Sequence, residues 1–313
     1  MLFSMSTGLS VVFAGTPANA ADTLVSLYSA GVDIRGVMSR KDSIVGREKT
    51  LTPSPVSKVA EELGLPLLKT NSVDESTISW LRALGADLGV VVAYGSIFSR
   101  EVLQVPRLGW INLHYSLLPE FPGAAPVQHA LLNGKSKTGV TVFRLDEGID
   151  SGPIVAQTET VVDEKENAGE LLSRLSAMGA LLLADVIVQG EGRITEALPQ
   201  QSKLLEYASK PTRALARIDF NAGAQQIVNK VRAMNPEPMA WFEIDGNPVR
   251  ILKARTADIA NQERSFASIV GKDLAVGCNG GAVVIEVVQP AGKKEMPGAD
   301  WFRGLRVDKV MLS

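Results

Sequence analysis

Short apolar runs alternate with amphipathic stretches through the first 190 residues. Leu9–Ala14 is apolar and ends at Gly15-Thr16-Pro17, which predicts a buried strand and its turn. Leu24, Leu27 and Tyr28 share one face of a following helix, and Val32–Met38 predicts a second strand. Ser39–Pro55 is polar, with Gly46, Pro53 and Pro55, and predicts a long loop. Val56–Leu63 predicts a helix, and Asp87–Tyr94 is the strongest strand signal in the chain. Gly109–His114 and Thr138–Leu145 predict further strands, and Leu171–Val188 a Leu- and Ala-rich helix. Strands alternating with helices predict an α/β, Rossmann-like domain with a mostly parallel sheet over residues 1–190.

The pattern changes after that point. Residues 191–207 contain Gly192 and Pro199-Gln200-Gln201-Ser202 and predict a linker. Residues 208–313 predict one helix, Ala222–Ala233, and then short strands at close spacing: Met239–Ile244, Val249–Ala254, Ser268–Val270, Leu274–Gly277 and Val283–Val288. Asp245-Gly246-Asn247-Pro248 and Asn279-Gly280-Gly281 mark turns between them. This predicts a small C-terminal β-barrel.

Composition narrows the chemistry. The 313 residues are 45% hydrophobic and 21% charged, ordinary globular usage with a net charge of −2. Residues 1–200 carry a balance of −6 and residues 201–313 a balance of +4, which is compatible with an anionic partner on the rear domain. A lone cysteine, Cys278, excludes an internal disulfide and a multi-thiolate zinc site, and two histidines argue against a multi-histidine metal site. Ala18-Asn19-Ala20 mimics a leader cleavage site, but the first basic residue is Arg35 and Gly15-Thr16-Pro17 interrupts the run. No apolar run reaches the ~20 residues that span a bilayer. A cytoplasmic monomer without a membrane partner is the expectation.

Gly15-Thr16-Pro17 stands where a dinucleotide-binding sheet carries its glycine fingerprint, and the fingerprint is absent. Asn112 and His114 are two apart on a strand, so both point to one face, at the strand's carboxyl end. A carboxamide beside an imidazole can polarise an oxygen that gains charge. Asp146-Glu147-Gly148-Ile149-Asp150-Ser151-Gly152 predicts a tight loop able to carry Asp150 back over the sheet end, where a carboxylate favours the imidazolium. The residues alone leave open a buried histidine satisfied by a neighbouring amide and a surface turn capped by aspartate. His129 lies in a predicted helix and reads as structural, as does Cys278.

Ser116-Leu117-Leu118-Pro119, then Gly123-Ala124-Ala125-Pro126-Val127-Gln128, with Asn112 and His114 before and Asp146, Gly148, Asp150 and Gly152 after, resembles the 10-formyltetrahydrofolate-dependent formyltransferases. The resemblance extends through Leu51-Thr52-Pro53-Ser54-Pro55-Val56, Ala216-Arg217-Ile218-Asp219-Phe220 and Gln289-Pro290-Ala291-Gly292-Lys293-Lys294, which narrow it to the members acting on methionyl-tRNA. Between the first two pieces stands Glu120-Phe121-Pro122, where the family carries a more basic triplet. The resemblance implies transfer of a formyl group from 10-formyltetrahydrofolate, without a metal, to the α-amino group of initiator methionyl-tRNA in translation initiation. It implies Asn112 and His114 as holders of the oxyanion and Asp150 as the group keeping His114 protonated and oriented. It implies Ser116, Leu117, Leu118 and Pro119 as the folate pocket wall. It implies Arg40, Lys41, Arg47 and Lys49 as tRNA contacts, with the rear barrel binding the same RNA. An acceptor that is an amino-sugar nucleotide, or a non-catalytic folate- or RNA-binding role, are the alternatives.

Overall fold

The computed structural model describes residues 8–45, 49–201, 207–259 and 262–312. Two compact units are present. One comprises Met1–Gly123, Lys137–Val161 and Leu172–Tyr207; the other comprises Ala124–Ser136, Val162–Leu171 and Ala208–Ser313. The second unit thus draws two segments from before residue 190 in addition to the rear of the chain.

In chain order the elements begin with β1 (Ser10–Gly15), α1 (Ala18–Ser29), β2 (Asp33–Ser39), β3 (Ser43–Val45), β4 (Thr50–Thr52), α2 (Pro55–Glu62) and β5 (Leu67–Lys69). There follow α3 (Glu75–Leu84), β6 (Leu88–Val92), α4 (Arg100–Leu103), β7 (Trp110–His114), α5 (Pro126–Leu132), β8 (Lys137–Arg144) and β9 (Ile154–Val161). Then come α6 (Ala168–Gln189), α7 (Glu191–Thr195), α8 (Ala224–Met234), β10 (Ala240–Ile244), β11 (Asn247–Ala257) and β12 (Phe266–Val270). The chain finishes with β13 (Asp273–Cys278), β14 (Gly281–Pro290), β15 (Met296–Pro297), α9 (Gly298–Gly304) and β16 (Lys309–Met311).

The first unit is built on a seven-stranded sheet of order β5-β2-β1-β6-β7-β8-β9. Pairing is parallel from β5 to β7 and antiparallel at β7–β8 and β8–β9. Every residue of β1 and β6 is buried, as their unbroken apolar runs require of central strands covered on both faces. From β1 the chain steps outward to β2 and β5, then crosses back to β6 on the other side. That reversal opens a crevice at the carboxyl ends of the strands, where open α/β sheets hold ligands. Helix starts are well specified. Ser54 caps α2 by accepting from Ser57 N–H, with Pro55 at the first turn, and Asp74 caps α3 by accepting from Ser76 and Thr77 N–H.

The structure departs from the sequence reading in several places. Ser39–Pro55 is not a plain loop: β3 and β4 pair as an antiparallel ribbon with Ile44 opposite Leu51. These two side chains are 67% and 65% exposed, so nothing buried marked the strands in the pattern. Strand β9 was not anticipated, because Gln157, Thr158, Glu159 and Thr160 dilute its apolar residues at the sheet edge. Tyr28, expected on the apolar face of α1, is exposed, whereas Leu24 and Leu27 are fully buried. Helix α6 is long and apolar enough to cross a bilayer by length and composition alone, although Glu170, Arg174 and Asp185 interrupt its apolar residues. Its Leu175, Leu183, Val186 and Ile187 are buried within the protein.

The second unit carries an antiparallel sheet of order β10-β11-β14-β13-β12-β16, with β15 against β14. This is the expected barrel-type sheet in open form. Register shifts between Ile251 and Lys253 and between Lys253 and Ala254 mark bulges in the β11–β14 pair, and bulges bend a sheet. Helix α8 packs on β11, with Ile227, Val231 and Met234 buried.

One close approach limits the first unit. Gly89 of β6 stands opposite Trp110 of β7, and a Cβ there would lie 2.0 Å from the indole. Gly89→Ala is expected to lower the stability of this unit by about 1–3 kcal/mol through overpacking. Denaturant unfolding followed by tryptophan fluorescence checks this; an unchanged midpoint contradicts the packing account.

Candidate active site

Strand β7 ends at His114, and its period of two separates the functions of its faces. Leu113 points to one face, where it packs so closely on Gly179 of α6 that a Cβ there would fall 2.8 Å from Leu113 Cδ1. Tyr115 follows with the same parity. It is buried, and its hydroxyl accepts a hydrogen bond from Asn19 Nδ2 of α1 at 2.8 Å. Asn112 and His114 point to the opposite face.

His114 is buried, with one ring nitrogen hydrogen-bonded and the other facing a carboxylate. Its Nε2 lies 3.0 Å from the carbonyl oxygen of Phe121. A carbonyl only accepts, so Nε2 carries the proton. Its Nδ1 lies 3.7 Å from Asp150 Oδ2, near enough for an ion pair and beyond hydrogen-bond length. The same carboxylate oxygen accepts from Gly123 N–H at 2.7 Å. The tight loop expected around Asp150 therefore does bring the carboxylate to the imidazole. Burial pushes the His114 pKa below its ordinary value, and this outweighs the upward pull of the Asp150 charge and the Phe121 carbonyl. The Asp150 charge favours the imidazolium as expected, against the larger opposing effect of burial. At rest the ring is neutral, with Nδ1 bare.

Asn112 completes the convergence on β7. Its Oδ1 is buried and has no hydrogen-bond partner among the described residues. A buried acceptor without a donor costs about 1–3 kcal/mol, so it is a group awaiting a ligand rather than a finished contact. A half-turn of the carboxamide presents Nδ2, a donor, in the same place. Phe143, opposite Asn112 in register on β8, sets its ring edge-on to His114 at 6.3 Å between centroids.

The turn after β7 is braced by a row of register partners. His114 stands opposite Thr141, and Thr141 opposite Gln157. Thr141 Oγ1 donates to Ser116 O at 2.7 Å and accepts from Leu118 N–H at 3.1 Å. Gln157 Nε2 donates to Leu118 O at 2.7 Å and to Thr141 Oγ1 at 2.9 Å. Ser116 Oγ donates to Glu120 O at 2.5 Å. Leu117 reaches to β8, where a Cβ on Gly139 would fall 2.6 Å from its Cδ2. The Leu118–Pro119 peptide is cis. Among Ser116–Pro119, then, the carbonyl of Ser116 and both backbone polar groups of Leu118 are occupied within the protein. Their visible part is to shape the turn that aims the Phe121 carbonyl at His114.

The basic residues expected to meet RNA lie around the β3–β4 ribbon. Arg40 Nη1 is 3.4 Å from Gly95 O and 3.5 Å from Asn71 O, and Lys41 N–H donates to Asn71 Oδ1 at 3.1 Å. Lys49 is exposed, with a left-handed φ of 50°, and Arg47 lies outside the described residues. His129 Nε2 meets Ser209 O at 3.1 Å within the second unit, a structural contact. Sequence reasoning did not assign roles to Phe121, Gly123, Thr141 or Gln157. Phe121 and Gly123 act through backbone atoms, which leave no side-chain signature.

The arrangement offers a bare imidazole nitrogen, a carboxylate and an unpartnered carboxamide at the carboxyl end of the sheet, a set suited to moving a proton from an attacking amine. The sequence matches the family described as formyl transferase over residues 9–187, and its C-terminal domain over residues 210–306. It is 41% identical over 296 residues to a methionyl-tRNA formyltransferase from Clavibacter michiganensis, covering 94% of this chain and 97% of that protein. A methionyl-tRNA formyltransferase from Paenarthrobacter aurescens is 40% identical over 296 residues, with 94% and 96% covered. Among solved structures, the fold is similar to WlaRD, a sugar 3N-formyl transferase crystallised with dTDP and 5-N-formyl-THF. That match has a TM-score of 0.64 at 19% identity and covers 91% of this chain and 99% of the other. An N-formyltransferase from Helicobacter canadensis, in complex with folinic acid and dTDP-3-aminofucose, gives a TM-score of 0.63 at 17% identity over 90% and 99%. The likeness runs through both units, from residue 9 to residue 306, and the chain belongs to the formyl transferase family.

Proposed function

We propose that this chain transfers the formyl group of 10-formyltetrahydrofolate to the α-amino group of methionine carried on initiator tRNA. The observation that carries the reading is its whole-length likeness, second unit included, to relatives named for that activity. The convergence of Asn112, His114 and Asp150 supports it from the side of chemistry. The reaction belongs to translation initiation, which places it in the cytoplasm.

The donor, when bound, supplies an electrophilic formyl carbon. An α-amino group titrates near ~7.7–8.0, so at neutral pH much of it must shed a proton before it can attack. His114 Nδ1 is the base: it is bare at rest, and Nε2 is committed to Phe121 O. The imidazolium that forms is met on one side by that carbonyl and on the other by Asp150, and it gives its proton to N10 of the folate as the bond between N10 and the formyl carbon breaks and tetrahydrofolate leaves. Asp150 is itself held by Gly123 N–H and sets the strength of the base. Asn112, with its carboxamide turned so that Nδ2 faces the site, donates to the oxygen that gains charge. Ser116, Leu117, Leu118 and Pro119 form the wall of the folate site through the braced turn.

For the RNA, Arg40, Lys41, Arg47 and Lys49 contact acceptor-arm phosphates, with the salt dependence that phosphate contacts bring. In the second unit Arg213 and Arg217 lie over Trp241 at 4.9 and 5.4 Å from the ring centroid; Arg217 is also paired with Glu243 at 3.4 Å, and Arg213 offers its exposed guanidinium to phosphate.

Given 10-formyltetrahydrofolate, the protein formylates methionyl initiator tRNA and leaves an amino-sugar nucleotide unmodified; activity on the sugar alone removes the assignment. His114→Ala and Asp150→Asn each lower kcat by on the order of 10²–10⁴ while leaving the fold intact. The rate falls on the acid side as His114 becomes protonated, with a midpoint below the ordinary imidazole value of about 6.5. Asp150 raises the His114 pKa, so the residual activity of Asp150→Asn has its acid limb at still lower pH. A limb that moves upward in that variant contradicts the assigned roles.

A further inference from the structure

We infer that Gln200 is a positioning residue for Asp150, acting by clamping the loop that carries the carboxylate. The inference rests on the proposed role of Asp150 and extends it to a side chain 50 residues away.

The loop between β8 and β9 is closed at its base by Arg144 N–H donating to Pro153 O at 2.8 Å. Asp146 organises its first half, accepting from Gly148 N–H at 3.0 Å and from Ser151 Oγ at 2.9 Å. Neither contact reaches the backbone of Asp150, which adopts a left-handed φ of 50°. A non-glycine residue there persists only where its surroundings hold it. The holding group is Gln200: its Nε2 donates to Asp150 O at 2.8 Å and to Gly152 O at 2.8 Å. A carboxamide NH2 has two hydrogens, one for each carbonyl. The bridge spans the residue before and the residue after Ser151, so it fixes the loop's return.

Gln200 is itself held in place. Leu198 and Ile154 exchange a pair of backbone hydrogen bonds, Ile154 N–H to Leu198 O at 2.7 Å and Leu198 N–H to Ile154 O at 2.8 Å. The segment after α7 is thereby laid along the start of β9, two residues short of Gln200. Gly152 has no room for a side chain, since a Cβ would lie 1.8 Å from Arg144 O, so the loop cannot relax on that side. Pinned at Gly152 and clamped at Gln200, the Asp150 side chain emerges with Oδ2 between Gly123 N and His114 Nδ1. The gap to Nδ1 is already 3.7 Å, so a small outward movement of the loop removes the carboxylate from the imidazole.

The test is a double-mutant cycle on the full chain, with kcat and KM measured for methionyl initiator tRNA and 10-formyltetrahydrofolate. Gln200→Glu keeps the size of the side chain and replaces both donors by an acceptor facing two carbonyl oxygens. It is expected to lower kcat by about 10–100-fold, the scale of a 1 Å misplacement, with KM for both substrates little changed. Its acid limb is expected to move to lower pH, as in Asp150→Asn, because the carboxylate leaves Nδ1. In an Asp150→Asn background it is expected to add nothing, because it acts through that carboxylate. Should Gln200→Glu not fold, Gln200→Ala carries the same cycle. A wild-type kcat in the Gln200 variant, or an equal loss with and without the Asp150 carboxylate, overturns the inference alone when Asp150→Asn itself shows the expected loss with measurable residual activity. If Asp150→Asn retains full activity, the reading of the site fails and the clamp's role fails with it.

Discussion

The site depends on one buried ring met from two sides. His114 has a carbonyl oxygen on Nε2 and a carboxylate oxygen facing Nδ1, in a setting that disfavours charge. Each contact has its own consequence. The Phe121 carbonyl decides which nitrogen carries the resting proton. The Asp150 carboxylate moderates the cost of a second proton without making the ring permanently cationic. Burial keeps the difference between the two states large enough to be useful. A base that was fully exposed, or paired at hydrogen-bond length with the carboxylate, would be a stronger base but would carry its proton for more of the time at rest.

Both of those partners are presented by left-handed backbone. Phe121 has φ of 54° and Asp150 has φ of 50°, and neither is glycine. Each such residue carries a cost on the order of 1–3 kcal/mol that neighbouring contacts must offset. The offsets are specific here. Thr141 and Gln157 hold the turn before Phe121, while Gln200 and the crowded Gly152 hold the loop around Asp150. Strain thus sits on the two segments that meet the imidazole, and the hydrogen bonds that sustain it come from the adjacent antiparallel strands and from the chain beyond α7.

Much of this was legible in the residues and some was not. Asn112 and His114 were legible because a strand's period of two places them on one face and a parallel strand's end is where ligands sit. Asp150 was legible through Gly148 and Gly152, whose spacing marks a tight return. The central strands β1 and β6 were legible because they are apolar throughout. Strand β9 and the β3–β4 ribbon were not, since edge position and exposure strip them of a burial pattern. The partners of His114 were also hidden. Phe121 O and Gly123 N–H are backbone groups, and residue identity does not announce where a carbonyl will point. The direction of the His114 pKa depended on how completely the ring is buried, a quantity set by packing across strands far apart in sequence.

The central claim is that the His114 ring is neutral at rest with its proton on Nε2. The chain has two histidines, so nitrogen NMR of the histidine-labelled protein resolves both, and a His129→Gln variant assigns them. The account predicts that at pH 7 His114 shows a protonated Nε2 and an unprotonated Nδ1, and that it titrates below about 6.5. A His114 that carries protons on both nitrogens at pH 7, or that holds its proton on Nδ1, contradicts it.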